Sequence, residues 1–218
     1  MMKARLFSTL LLLGIVLAGA SLTRSVSKVP LVGIDRGYQP VQPIAYSHRL
    51  HAGELAIPCL YCHGGAEKSR RAGIPSASIC MNCHRFVSAT IGAIREEDAR
   101  AQEEKRNPKT IVSAELAKLY SAQGLDGELQ PSAEHAVTPI AWKRVHSIPD
   151  FVAFDHRPHV AAEIECQSCH GAIETMDRVR QEATLSMGWC VQCHREMTGR
   201  TEAGKPVDPP LDCATCHY

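Results

Sequence analysis

Aromatic residues make up only 5% of this 218-residue chain, too few to fill the interior of a domain of that size with protein side chains alone. Charge of one sign is missing too. The 24 Lys and Arg are balanced by 23 Asp and Glu for a formal net charge of +1, and the basic residues are dispersed. That excludes a nucleic-acid footprint and long-range capture of charged partners. No second long apolar run follows the N-terminal one, which excludes a polytopic membrane protein. No βαβ pattern accompanies the cysteines, which excludes a thioredoxin-like redox centre. No cysteine is left over from the one motif that holds them all.

Cysteine is what the chain does have. All 10 cysteines fall in copies of C-x-x-C-H: Cys59-Leu60-Tyr61-Cys62-His63, Cys80-Met81-Asn82-Cys83-His84, Cys166-Gln167-Ser168-Cys169-His170, Cys190-Val191-Gln192-Cys193-His194 and Cys213-Ala214-Thr215-Cys216-His217. Two thiols three positions apart can each form a thioether with a vinyl group of one haem, and the histidine that follows then lies under the iron as its proximal ligand. Rival chemistries fit poorly. Five pairs cannot be grouped in twos as four-thiolate zinc sites require, and zinc ribbons need no histidine after every second cysteine. A disulfide framework leaves the five histidines unexplained. The sequence therefore predicts five covalently bound haem c groups, attached at Cys59, Cys62, Cys80, Cys83, Cys166, Cys169, Cys190, Cys193, Cys213 and Cys216. His63, His84, His170, His194 and His217 are the predicted proximal ligands. The haems would supply the missing apolar bulk. The fold expected is mainly α with much irregular structure and little sheet, built around five packed haems, with one N-terminal transmembrane helix.

Lys3 and Arg5 precede an uncharged apolar run from Leu6 to Leu22, near the lower limit of roughly 17 residues for crossing a bilayer. Ala18 and Ala20 resemble a signal cleavage site, but the chain still carries the segment, which favours a retained anchor over a removed signal. The positive-inside rule then puts everything after about residue 24 on the periplasmic, extracytoplasmic side of the cell membrane.

Beyond this anchor (1–24) the chain repeats itself. A first two-haem module (44–90) runs Tyr46-Ser47-His48-Arg49-Leu50-His51, then a motif ending His63-Gly64, then one ending His84-Arg85. A second (142–197) runs Phe154-Asp155-His156-Arg157-Pro158-His159, then His170-Gly171, then His194-Arg195. Between them lies a charged insert (91–141) with two helical stretches, read as a solvated spacer, with docking onto a neighbouring subunit as the alternative. A Gly- and Pro-rich C-terminal segment (198–218) leads into the fifth motif.

Six histidines remain. His48 with His51, and His156 with His159, have the i, i+3 spacing that puts both rings on one face of a helical turn, so each pair can serve two adjacent irons as distal ligands. Pro158 between them is tolerable in a first turn. His146, ahead of the second module's His-x-x-His turn, is the expected fifth distal ligand, with Met187 as the alternative, since a thioether ligand raises a haem potential. His135 lies in a polar stretch and is read as solvated. If every iron has two ligands, no open site exists for substrate chemistry. Catalytic residues are therefore expected to be none, and electron transfer is the default.

The aromatic-x-His-x-x-His stretches before C-x-x-C-H resemble the class III multihaem cytochromes. With the N-terminal apolar segment, the stretch Val145-His146-Ser147-Ile148-Pro149-Asp150-Phe151-Val152-Ala153-Phe154-Asp155-His156 and Met187-Gly188-Trp189-Cys190, the chain more closely resembles the pentahaem subunit of alternative complex III. That resemblance implies a subunit beside an iron–sulfur protein and polytopic quinol-binding membrane subunits. Electrons would leave to a downstream cytochrome c, copper protein or terminal oxidase. Two rivals stand against it. A NapC-type quinol dehydrogenase has four haems in one head, and a multihaem oxyanion reductase needs an iron with an open position.

Overall fold

The computed structural model describes residues 2–26, 35–134, 136–202 and 204–217. Its first helix, α1 (Met2–Val26), contains the window Ser8–Ser25, whose mean hydropathy is 1.4 and none of which is covered by the rest of the chain. By length and composition it could cross a membrane, and an export signal would look the same.

The rest is short helices joined by irregular backbone, as the composition predicts. A single π-turn, Arg49–Glu54, is followed by α2 (Cys59–Cys62), α3 (Gly65–Lys68) and α4 (Ala77–His84). The insert supplies α5 (Ile91–Glu103) and α6 (Ala114–Ala122). The second module supplies α7 (His156–Ala161), α8 (Gln167–His170), a 3₁₀ turn Ile173–Thr175 and α9 (Met187–Met197), and the C-terminal motif forms α10 (Cys213–Cys216). Among the described residues, sheet is confined to β1 (Thr201–Glu202) and β2 (Lys205–Pro206), antiparallel with Thr201 opposite Pro206.

Local chemistry sets the starts of the longer helices. The hydroxyls of Thr90, Ser113 and Ser186 accept from the amides of Ala93, Leu116 and Trp189, and the carboxylate of Asp155 accepts from Arg157 N. Each satisfies a first-turn amide that has no partner within the helix. Pro158 sits in the first turn of α7, where its missing N–H costs nothing.

The side-chain core is sparse. Among the described residues, the buried apolar ones are Ala66, Ala89, Ala101, Leu119, Tyr120 and Met176. Three of them belong to the insert, which is therefore not the solvated spacer its charge suggests. Tyr120, 1% exposed, donates its hydroxyl to His84 O at 2.5 Å and ties α6 to α4. Ser113 N donates to Ser88 O at 2.9 Å. Glu97 accepts from Arg106 at 2.5 Å and from the amide of Lys109 at 2.9 Å, closing the loop after α5. α6 turns Leu119 and Tyr120 inward and bonds to the second motif, and α5 buries Ala101 beside Glu97 while Arg95, Glu96 and Arg100 stay exposed. Sequence periodicity over so short a charged run concealed that asymmetry.

The two modules interlock. The π-turn of the first lies against the 3₁₀ turn of the second, so closely that a Cβ on Gly53 would meet Glu174 O at 2.3 Å. Arg49 N donates to Met176 O at 3.0 Å, and Ser47 Oγ donates to Asp177 Oδ1 at 2.7 Å. From the other side α3 packs against α7, where His156 N donates to Arg70 O at 3.2 Å.

Candidate haem-binding sites

All the motifs sit on helical turns, which brings their two thiols to one side with the histidine at the end of the turn. What the sequence left open is which second imidazole faces each of them. The ring of His48 stands 6.4 Å from that of His63, centroid to centroid, and within 6° of parallel. Its counterpart in the repeat, His156, stands 6.4 Å from His170 and within 8°. His51 faces His84 at 6.0 Å and 58°, and His159 faces His194 at 6.1 Å and 36°. Two metal–imidazole bonds of about 2.0–2.1 Å, plus the ring radius on either side, call for roughly 6 Å between centroids. Four ring pairs are therefore spaced to hold one metal each between them. The repeat is kept in detail: the first histidine of each His-x-x-His turn faces the first motif of its module and the second faces the second.

Hydrogen bonds orient these rings. Nδ1 of His63 bonds to Gly73 O at 2.9 Å, Nδ1 of His84 to Val87 O at 2.9 Å and Nδ1 of His194 to Pro210 O at 2.7 Å. Across from them, His51 bonds to Ser47 O at 2.9 Å, His156 to Arg70 O at 2.9 Å and His159 to Asp155 O at 2.8 Å. A carbonyl can only accept, so each of these imidazoles carries its hydrogen on Nδ1 and presents a free lone pair on Nε2. That is how metal-bound histidines are held elsewhere. Nδ1 of His48 is buried without a partner among the described residues. Aromatic rings wedge the distal turns: Tyr46 stacks on His51 at 4.4 Å, and Phe154 lies 4.9 Å from His159.

Burial favours the neutral form of His48, His146, His159 and His170. Desolvation first, then His63 and His51, lowers the His48 pKa to about 4, and desolvation with His146 next lowers His170 to about 3. His159 and His146 are lowered mainly by burial. Neutral imidazole is the ligand form. The residues present thus fit haem iron by spacing, tautomer and charge.

The thiols show how the motifs follow one another in space. Burial raises the Cys62 pKa, with Cys83 adding to it, and Cys80 is raised likewise with Cys62 as neighbour. Burial and Cys59 raise Cys166. Burial pushes Cys169 up to about 11, with Cys193 and Cys190 contributing, and Cys190 in turn has Cys216 beside it. Backbone contacts agree: Ala153 N donates to Cys216 O at 2.8 Å, and His156 N meets Arg70. The second motif thus neighbours the first, the first the third, the third the fourth, and the fourth the fifth.

The fifth motif is built differently. Beside His217 stands Phe151, with centroids 5.8 Å apart, and no histidine ring faces it among the described residues. His146, expected as the fifth distal ligand with no iron assigned to it, has its Nε2 at 3.2 Å from His170 Nδ1. Met187, the alternative, is the first residue of α9 and 69% exposed. His135 lies outside the described residues. Sequence reasoning missed the fully buried Gln181, whose side chain accepts from Ser147 N at 3.3 Å and donates to Ala183 O at 3.0 Å, fixing the chain next to His146.

Residues 152–218 match the family "Cytochrome c7 and related cytochrome c". Over 176 residues the chain is 33% identical to the "Menaquinone reductase, multiheme cytochrome c subunit" of Nitratidesulfovibrio vulgaris, covering 72% of this chain and 69% of that one. It is also 26% identical over 191 residues to the "High-molecular-weight cytochrome c" of the same organism, covering 73% of this chain and 33% of that longer protein. Motifs, ring pairs and relatives lead to one conclusion: the chain belongs to the multihaem cytochrome c family of electron-transfer proteins.

Proposed function

We propose that the chain carries five haem c groups and conducts electrons as one subunit of a quinone-linked membrane complex, of the alternative complex III type, on the outer face of the membrane. The observation that carries this reading is the set of four imidazole pairs 6.0–6.4 Å apart. When bound, haem c supplies a one-electron iron couple. The protein's own part is structural. Ten thiols would anchor the groups, and four pairs of imidazoles, six of the eight rings with Nδ1 tied to a carbonyl, would hold four of them. The interlocked π-turn and 3₁₀ turn keep the first and third motifs adjacent, which makes one continuous path out of two modules.

The relative named for menaquinone reductase supports the link to quinone chemistry. It also favours a second reading, in which electrons run through the chain toward quinone instead of away from it. In both, an apolar N-terminal helix tethers the chain, and partners supply the quinone site: polytopic membrane subunits with an iron–sulfur protein, and a soluble redox carrier at the far end. Isolation in mild detergent tests this. Five haems per chain by mass and pyridine haemochrome, with polytopic and iron–sulfur subunits co-purifying, is the expected result. A four-haem chain recovered alone in the soluble fraction would refute it. The direction follows from whether added quinol reduces the haems or reduced haems reduce quinone.

A further inference from the structure

His146 has a place in the structure that its sequence position did not announce. The Nδ1 atoms of His63, His84 and His194 all end on backbone carbonyls, whereas that of His170 ends on another imidazole. The two rings meet edge to face, 4.3 Å between centroids and 81° between planes. His170 already has His156 across the metal position at 6.4 Å. With His156 there, His170 Nε2 is the metal-facing atom and its Nδ1 carries the hydrogen. His146 Nε2 must then be the acceptor, which leaves the His146 hydrogen on Nδ1. The Nε2 lone pair is thereby used, so the same atom cannot also bind the iron of the fifth motif.

We propose that His146 is a positioning residue for the third motif: it accepts the Nδ1 hydrogen of His170, fixes that ring nearly parallel to His156, and makes it a stronger electron donor to iron. A basic acceptor on a ligand's second nitrogen raises the ligand's basicity and favours the oxidised metal. The third motif lies at the middle of the order derived above, joining the first module to the second, so its potential governs passage between them. Gln181 supports the arrangement. Fully buried, it bonds to Ser147 and Ala183, while its backbone accepts from Gly37 N at 2.7 Å and donates to Tyr38 O at 3.0 Å. This holds His146 against His170 from the chain next to it.

The inference rests on the reading of His170 and His156 as ligands of one iron, and the test separates the two. The full-length holoprotein is compared with His146→Leu, His146→Gln and His156→Ala by electron paramagnetic resonance and by potentiometric titration. His146→Leu should leave the number of low-spin ferric signals unchanged and move one redox step upward. Loss of a ligand's orienting partner typically costs 10–100-fold. A tenfold change in the ferric-to-ferrous ratio at fixed applied potential is 59 mV for one electron. His146→Gln, which restores an acceptor, should return most of that shift. Conversion of a low-spin signal to high-spin in His146→Leu would show His146 to be an iron ligand and overturn the proposal. An unshifted titration would overturn it as well. His156→Ala should convert one low-spin signal to high-spin; if it does not, the pairing of His156 with His170 fails, whatever His146 does. If the Leu variant takes up less haem, the Gln variant decides by spin state: an unchanged number of low-spin signals supports the proposal, and a new high-spin signal overturns it.

Discussion

Gly53→Ala probes whether interlocking of the two modules is what keeps the first pair of sites in shape. The added Cβ would stand 2.3 Å from Glu174 O and 3.4 Å from its carbonyl carbon. Both contacts are backbone, so nothing flexible can turn aside, and the π-turn must retreat by about 1 Å to reach ordinary contact. Overpacking of this kind typically costs about 1–3 kcal/mol. The geometric consequence matters more. His51 lies within that turn and His48 immediately precedes it, and their rings stand 6.0 Å from His84 and 6.4 Å from His63. Two metal–nitrogen bonds of about 2.0–2.1 Å leave no room for a displacement of about 1 Å, so one or both distal bonds should lengthen or break. The expected result is partial loss of low-spin ferric signal from the first module alone, with a lowered unfolding midpoint. Gly92→Ala serves as control, since no atom lies within 4 Å of its would-be Cβ in α5. It should stabilise by about 0.5–1 kcal/mol and leave every signal intact. Wild-type ligation and stability in Gly53→Ala would refute the claim that this contact holds the distal turn.

Tyr120→Phe removes the hydroxyl that bonds to His84 O. It should lower stability by about 1–2 kcal/mol in denaturant titration without changing the visible spectrum, because the bond is to the backbone of the proximal histidine and not to its ring. The bond from Arg106, then that from the Lys109 amide, lowers the Glu97 pKa from 4.5 to about 2. A depressed folded pKa contributes stability that is full above about pH 4.5 and lost as pH falls toward 2. Glu97→Gln should therefore flatten the acid limb between those values in a pH series of melting temperatures. At the fifth motif, where Phe151 stands beside His217, the reduced protein is expected to bind added carbon monoxide at one haem, and Phe151→His to weaken that binding. Uptake at no haem in the parent protein would show that a ligand reaches this site from elsewhere.

The covalent chemistry was legible because it is local. A thioether pair and its histidine lie within five residues, and the i, i+3 spacing of His48 with His51 and His156 with His159 marks each pair as one face of a turn. The repeat then tells which turn belongs to which module. The role of His146 was not legible. A single histidine carries no spacing signal, and Gln181, which fixes its neighbour, lies 34 residues from Ser147. The insert was misread for a related reason: Tyr120 reaches His84 O across 36 residues, and the charged faces of α5 and α6 hid the buried ones.

By itself, the sequence predicts haem attachment at five thiol pairs, haem in place of a missing aromatic core, and distal histidines in twos. Those properties follow from bonds and turns spanning a few residues. Tertiary structure alone decided which imidazole faces which, the spatial order second, first, third, fourth, fifth, and the partner of each Nδ1. The acceptors on Gly73, Val87, Pro210 and Arg70 are backbone carbonyls. Every residue offers a carbonyl, so only the folded path of the chain selects the one that turns a histidine toward iron.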